Sequence, residues 1–183
     1  MKIIGIDPGP DKSGWVIWDH STGNVCDRGT NINAYLLYCM LPSLLQVHTL
    51  SFAAIEGLAC YGRTVGKAVF QSAYMIGALA HMLSMHSKGV FIIPYAEKSK
   101  YFVGSRSSND AAIRAYLRDH YGEKGTSKKP GPFYGIVNHE WEAAATAIHI
   151  AELAIGGNNE WPRITSEYAW LDNKWGINVS KSP

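Results

Sequence analysis

Two short apolar runs in this 183-residue chain each end in a carboxylate: Ile3, Ile4, Gly5 and Ile6 lead into Asp7, and residues 51–55 lead into Glu56. A third pair of polar groups, His139 and Glu142, opens the Ala-rich stretch HEWEAAATAIHIAELAI at 139–155. Three residues apart on a helix, His139 and Glu142 share one face of the first turn while Glu140 is rotated away, so a metal ion approaching that face is within reach of both. Each feature also has a plainer reading. An Asp followed by Pro8 and Gly9 suits a turn, Glu56 can be an ordinary carboxylate just past a strand, and acidic residues in a first helical turn favour the helix dipole.

What decides between these readings is the set of elements that would carry the groups. Residues 2–19 predict a hairpin: an apolar strand buried on both faces, a turn at Pro8, Gly9 and Pro10, and a second apolar strand from Gly14 to Trp18. Residues 23–29 read as a short third strand completing an antiparallel meander. Asn31 or Asn33 caps a helix carrying Ala34, Leu36, Leu37, Met40, Leu41, Leu44 and Leu45, with a kink or restart at Pro42. The next strand, 51–56, follows a crossover helix and is therefore expected parallel to its neighbour. Beside the first strand, it brings Glu56 and Asp7 to the same C-terminal edge.

Further along, residues 57–63 form a Gly-punctuated loop, and Thr64 caps a long helix from Val65 to about His86. That helix is apolar over more than one stripe, which suggests two burial surfaces, one of them a second copy of the chain. Residues 89–94 (GVFIIP) read as a buried fifth strand, and 95–104 as a short basic segment. Ser107 or Ser108 caps a helix through Tyr121, residues 122–138 form a mobile basic loop, and Asn138 caps the final helix. The Gly-, Asn- and Trp-containing stretch 156–183 reads as a C-terminal tail after a domain spanning 1–155.

Composition sets outer limits. A 46% hydrophobic content with both charge signs argues for a globular domain with a well-buried core. The net charge of +2 is unevenly spread: between Lys88 and Lys129 there are nine Lys or Arg against four acidic residues, a local excess suited to phosphate contacts or to an ordinary solvated surface. Cys26, Cys39 and Cys60 are odd in number with no close pair, which argues against a disulfide framework or a Cys-based zinc site and for a reducing cytosol. No signal peptide or membrane-spanning run is expected.

The ordered set IGIDPG with a following Ser-Gly, a second strand ending in Ile-Glu, and a last helix opening with His139 and Glu142 resembles the RuvC Holliday-junction resolvases of the RNase H-like superfamily. CYGRTVGKAVFQ at 60–71, VGSRSSNDAAIRAYL at 103–117 and KKPGPFYGI at 128–136 look like segments of the phage and prophage branch. The resemblance covers roughly residues 2–155. It implies an α/β fold with a mixed five-stranded sheet flanked by helices. It also implies a catalytic and metal-binding set of Asp7, Glu56, His139 and Glu142, with Glu142 where the family has Asp. Of the family's basic helpers, one falls at Ser99, between Lys98 and Lys100, and another is replaced by Asn109.

Such a site hydrolyses phosphodiesters with two Mg2+ or Mn2+ ions, which stabilise charge on the nonbridging oxygens and activate water. The implied activity is that of a homodimeric crossover junction endodeoxyribonuclease acting on four-way or other branched DNA, in the bacterial host cytoplasm if phage-encoded. Tyr61, Arg63, Lys98, Lys100, Arg106, Lys124, Lys128 and Lys129 are the expected DNA contacts. One rival is a noncatalytic branched-DNA-binding protein with the same fold. Another is an actin-like phosphotransferase with IDPG as its phosphate loop, which the lack of an internal repeat in 183 residues disfavours.

Overall fold

The computed structural model describes residues 1–58 and 65–156. Its centre is a mixed five-stranded sheet in the order β3-β2-β1-β4-β5, made of β1 (Lys2–Pro8), β2 (Lys12–Asp19), β3 (Asn24–Ile32), β4 (Phe52–Gly57) and β5 (Val90–Pro94). The first three strands form the antiparallel meander. β4 then pairs parallel to β1, and β5 parallel to β4. β3 is longer than the expected 23–29, because its ladder with β2 continues to Lys12 and Ile32.

Side chains alternate across β1, and the two faces meet different helices. Ile4 and Ile6 join Ile55, Leu36, Leu41, Leu44, Ile76, Leu79 and Leu83 in one core, beneath the helical segment of residues 33–47 and beneath α3 (Lys67–Ser84). Ile3 joins Val16, Trp18, Ala54 and the alanines of α6 (His139–Ile155) in the other. Burial on both faces explains why the first strand is a continuous apolar run. The segment after β3 comprises α1 (Asn33–Tyr35), a π-helical stretch over Leu36–Met40, and α2 (Leu41–Val47), with Pro42 in the first turn of α2. The helical backbone runs without a break into this turn, and the π-helical stretch immediately before Pro42 is the irregularity that accommodates its missing amide.

The Ala-rich sequence of α6 has a steric reason. A Cβ on Gly5 would lie 2.0 Å from the Ala143 carbonyl oxygen and 2.9 Å from Ala147, and one on Gly14 would lie 2.7 Å from His139. Helix and sheet backbones therefore approach too closely for larger residues at the contact, and α6 sits with its first turn directly over the β1–β2 hairpin.

Four local expectations need correction. Asn138 is not a side-chain cap: it has φ 42° and makes no capping bond, and the Val137 amide donates instead to Glu140 Oε2 at 3.1 Å. The cap of α5 (Asp110–Tyr121) is Asn109, whose Oδ1 accepts from the Ala112 amide at 2.9 Å, rather than Ser107 or Ser108. Ser108 instead bonds Ser99 of α4 (Tyr95–Val103), a full helix where a short basic segment was expected, and Ser107 meets Ser105. Residues 122–138 are ordered rather than a mobile loop. Gly125 and Pro130 form an isolated bridge, Phe133 and Ile136 are buried, and Phe133 stacks on Trp18 with ring centroids 5.8 Å apart. The Thr64 cap and the C-terminal tail from residue 157 lie outside the described residues.

Candidate active site

One residue beyond the last paired positions of the parallel strands, Ile6 and Ile55, the chain delivers Asp7 and Glu56. The turn that follows Asp7 is fastened from below. Ser13, fully buried, donates to Asn33 Oδ1 at 2.7 Å, and the Asn33 side-chain amide donates to the carbonyls of Gly9 at 3.0 Å and Pro10 at 3.2 Å. The closing helix completes the site from above. His139 Nδ1 lies 2.7 Å from Asp7 Oδ2, and Glu142, one turn along α6, enters the cleft beside Glu56. Glu140 turns away, as its angular position requires, and accepts from Thr30 on β3 at 3.2 Å.

Between the two glutamates lies Lys98. Its side chain is 0% exposed, its ammonium pairs with Glu56 Oε2 and reaches Glu142 Oε2 at 3.4 Å, and it lies 5.4 Å from the ring centroid of Tyr95. Arg114 on α5 approaches from the rim and donates to Glu142 Oε1 from Nη2 at 3.1 Å and from Nε at 3.4 Å. The four acid and imidazole groups are thus drawn together as two linked pairs, Asp7 with His139 and Glu56 with Glu142 through Lys98.

The electrostatics follow from crowding negative charge in a partly dry cleft. Burial pushes the Glu56 carboxyl up to about 7, and the charges of Asp7 and Glu142 push the same way against the opposing pull of Lys98. Carboxylates and an imidazole are the donor types that hard divalent ions accept. A cation added to the cluster would offset the burial penalty and the carboxylate repulsion that together raise Glu56. The donor set therefore fits such an ion in chemistry. Its side chains are closed onto Lys98 and Arg114, however, and no three of His, Cys, Asp or Glu among the described residues gather into one ligand shell.

The expected DNA contacts divide. Lys100 and Arg106 are exposed, with Arg106 lining a shallow pocket beside Tyr95, Ala96 and Ser107 next to the acids. Lys128 and Lys129 are exposed near the Gly125–Pro130 bridge. Lys124 is half-buried and donates to the Ile136 carbonyl at 2.6 Å. Lys98 lies in the acid cluster rather than on the surface. Tyr61 and Arg63 lie outside the described residues. Sequence reasoning singled out neither Arg114 nor the buried bridging role of Lys98. A cation next to the apolar positions Ile113 and Leu117 reads as an ordinary helix flank, and only the packing of α5 on α6 reveals its partner.

No protein-family profile and no curated protein sequence matches the chain. Among solved structures, a Thermus thermophilus RuvC structure superposes with a TM-score of 0.61 at 15% identity, covering 85% of this chain and 97% of that one. T. thermophilus RuvC in complex with Holliday junction substrate superposes with a TM-score of 0.66 at 16% identity, covering 86% of this chain and 96% of that one. The fold, a mixed five-stranded sheet flanked by helices, is that of these RuvC-like neighbours.

Proposed function

We propose that this chain is a metal-dependent, structure-selective DNA endonuclease that resolves Holliday junctions or other branched DNA by phosphodiester hydrolysis. The observation that carries the reading is the convergence of Asp7, Glu56, His139 and Glu142 at the C-terminal edge of β1 and β4, around the buried ammonium of Lys98. The shared fold supports it, since one of the neighbouring RuvC structures is a complex with a Holliday junction. The sequence segments quoted above are what favours the phage and prophage branch.

Mg2+ or Mn2+ held by Asp7, Glu56, His139 and Glu142, two ions per site, would supply charge stabilisation at the scissile phosphate and an activated water. The chain's own groups do the rest. Asp7 orients the His139 ring through Nδ1, which leaves Nε2 as its other donor nitrogen. Lys98 offsets the charge of Glu56 and Glu142, so that the cleft tolerates an incoming phosphate. Lys100, Arg106, Lys128 and Lys129 contact the backbone, together with Tyr61 and Arg63, and binding should weaken steeply with salt. The protein acts as a homodimer, because a four-way junction is two-fold symmetric and two nicks need two sites about a twofold axis.

A specific observation favours a second reading, a noncatalytic branched-DNA-binding protein: both glutamates are already engaged by cations, and no three-ligand shell is closed among the described residues. Replacement of Asp7 by Asn separates the two. For a nuclease, junction cleavage in Mg2+ falls by roughly a hundredfold or more while junction affinity is unchanged. For a binding protein, wild type and variant are equally inert toward the junction.

A further inference from the structure

Arg114 is absent from the acid and imidazole set, yet the geometry gives it a defined task. Both its Nη2 and its Nε donate to the same oxygen of Glu142, Oε1, at 3.1 and 3.4 Å, while Lys98 touches only the other oxygen, Oε2, at 3.4 Å. The guanidinium side chain is 37% exposed and the Glu142 side chain 10% exposed, so the pair stands where the rim of the cleft meets its interior. Two donors of one rigid planar group converge on that oxygen and hold it toward α5, while the Lys98 ammonium meets only Oε2. A glutamate also carries its carboxylate one methylene further from the helix than an aspartate would. That added length gives Glu142 both its reach to α5 and an extra rotatable bond to be controlled.

We propose that Arg114 is a positioning residue for Glu142: it pins Oε1 toward α5 and leaves Oε2 directed into the space shared with Lys98 and Glu56, where a divalent ion is to be bound. The inference deepens the nuclease reading and rests on it. It differs from the other two roles open to an arginine at this place, a strut that only ties α5 to α6 and a direct contact to DNA. A strut would be read in stability alone, and a DNA contact in KM.

The test uses the full chain and four variants: Arg114→Ala, Arg114→Lys, Glu142→Asp, and Arg114→Ala combined with Glu142→Asp. Junction kcat and KM are measured in Mg2+, Mn2+ affinity is measured by titration without DNA, and each melting temperature is recorded. Arg114→Ala should lower kcat by roughly 10- to 100-fold and weaken Mn2+ binding by a similar factor, with KM within about twofold of wild type. Arg114→Lys should restore part of both losses. In the Glu142→Asp background, whose shorter carboxylate does not reach the guanidinium, removing Arg114 should cost less than about threefold.

The proposal is overturned if Arg114→Ala leaves kcat and Mn2+ affinity unchanged. It is also overturned if the loss is equal in the Glu142→Asp background, or if only melting temperature or KM moves. Should the wild type cleave no branched DNA, the nuclease reading falls, and the Mn2+ titrations still decide whether Arg114 acts through Glu142. A wild type that binds no Mn2+ overturns both.

Discussion

Glu56 is the residue on which the electrostatics of the cleft are most visible. Burial raises its carboxyl to about 7, from an unfolded value of 4.5. Below pH 4.5 both folded and unfolded chains are protonated at this position, so it affects stability little. Between 4.5 and 7 the unfolded chain gives up the proton while the folded one keeps it, and stability falls as pH rises; above 7 the loss is constant. The shift corresponds to a loss on the order of 3 kcal/mol at most.

His149 opposes it. Burial, with Lys98 adding to it, lowers that imidazole to about 4, and its Nδ1 has no hydrogen-bond partner among the described residues. Its contribution to stability is therefore lost as pH falls from 6.5 to 4. Comparing the metal-free wild type with Glu56→Gln removes the histidine from the difference. Chemical denaturation should show the wild type losing stability relative to the variant from pH 4.5 to 7, and a flat difference across that range would contradict the assigned environment.

Among the elements, the contact of α6 with the β1–β2 hairpin governs the site, because it sets His139 over Asp7 and Glu142 beside Glu56. Gly5 is the tightest point of that contact, with the Ala143 carbonyl 2.0 Å from where a Cβ would stand. Gly5→Ala should therefore lift the helix and cost about 1–3 kcal/mol by thermal or urea unfolding. A melting temperature equal to wild type would show that the helix does not press on the strand as described.

Much of this scale was legible in the sequence, because burial on two faces writes a continuous apolar run and close helix–sheet approach writes alanines. The apolar runs ending in Asp7 and Glu56, the crossover that makes β4 parallel, and α6 over 139–155 follow from such local patterns. The parts that were not legible depend on contacts distant in sequence. Phe133 and Ile136 order the Gly-rich 122–138 segment by entering the core beside Trp18. Asn109 competes with two neighbouring serines for the cap of α5, of which Ser108 is taken up by Ser99 and Ser107 by Ser105. Arg114 acquires its meaning only from Glu142, 28 residues away.

At the scale of the whole molecule, the proposed homodimer needs an exposed apolar surface, and the outer face of α3 offers one. Phe70 and Tyr74 stand four residues apart on the exposed side, with Tyr74 73% exposed. Gly77 continues the stripe, and a methyl group placed on it would meet nothing within 4 Å, which leaves room for close approach of another helix. Tyr74→Glu is expected to convert a dimer to a monomer in sedimentation and to uncouple the two nicks on a junction, leaving single-strand nicking in place. A variant that sediments as the wild type does would move the dimer interface elsewhere. Among the described residues no helix is long and apolar enough to cross a membrane. The exposed cations Lys100, Arg106, Lys128 and Lys129 lie on α4, on the loop after it and on the ordered 122–138 segment.

The central claim is that Asp7, Glu56, His139 and Glu142 act together on a DNA backbone. Its most direct test is cleavage of matched linear, flap and four-way DNA by the wild type in Mg2+ and in Ca2+, with Asp7→Asn as control. The account predicts nicks in the four-way or flap substrate in Mg2+ only, intact linear DNA, and an Asp7→Asn protein that binds the branched substrate without cutting it. Branched DNA left uncut by the wild type in Mg2+, or cut equally well by Asp7→Asn, would contradict it.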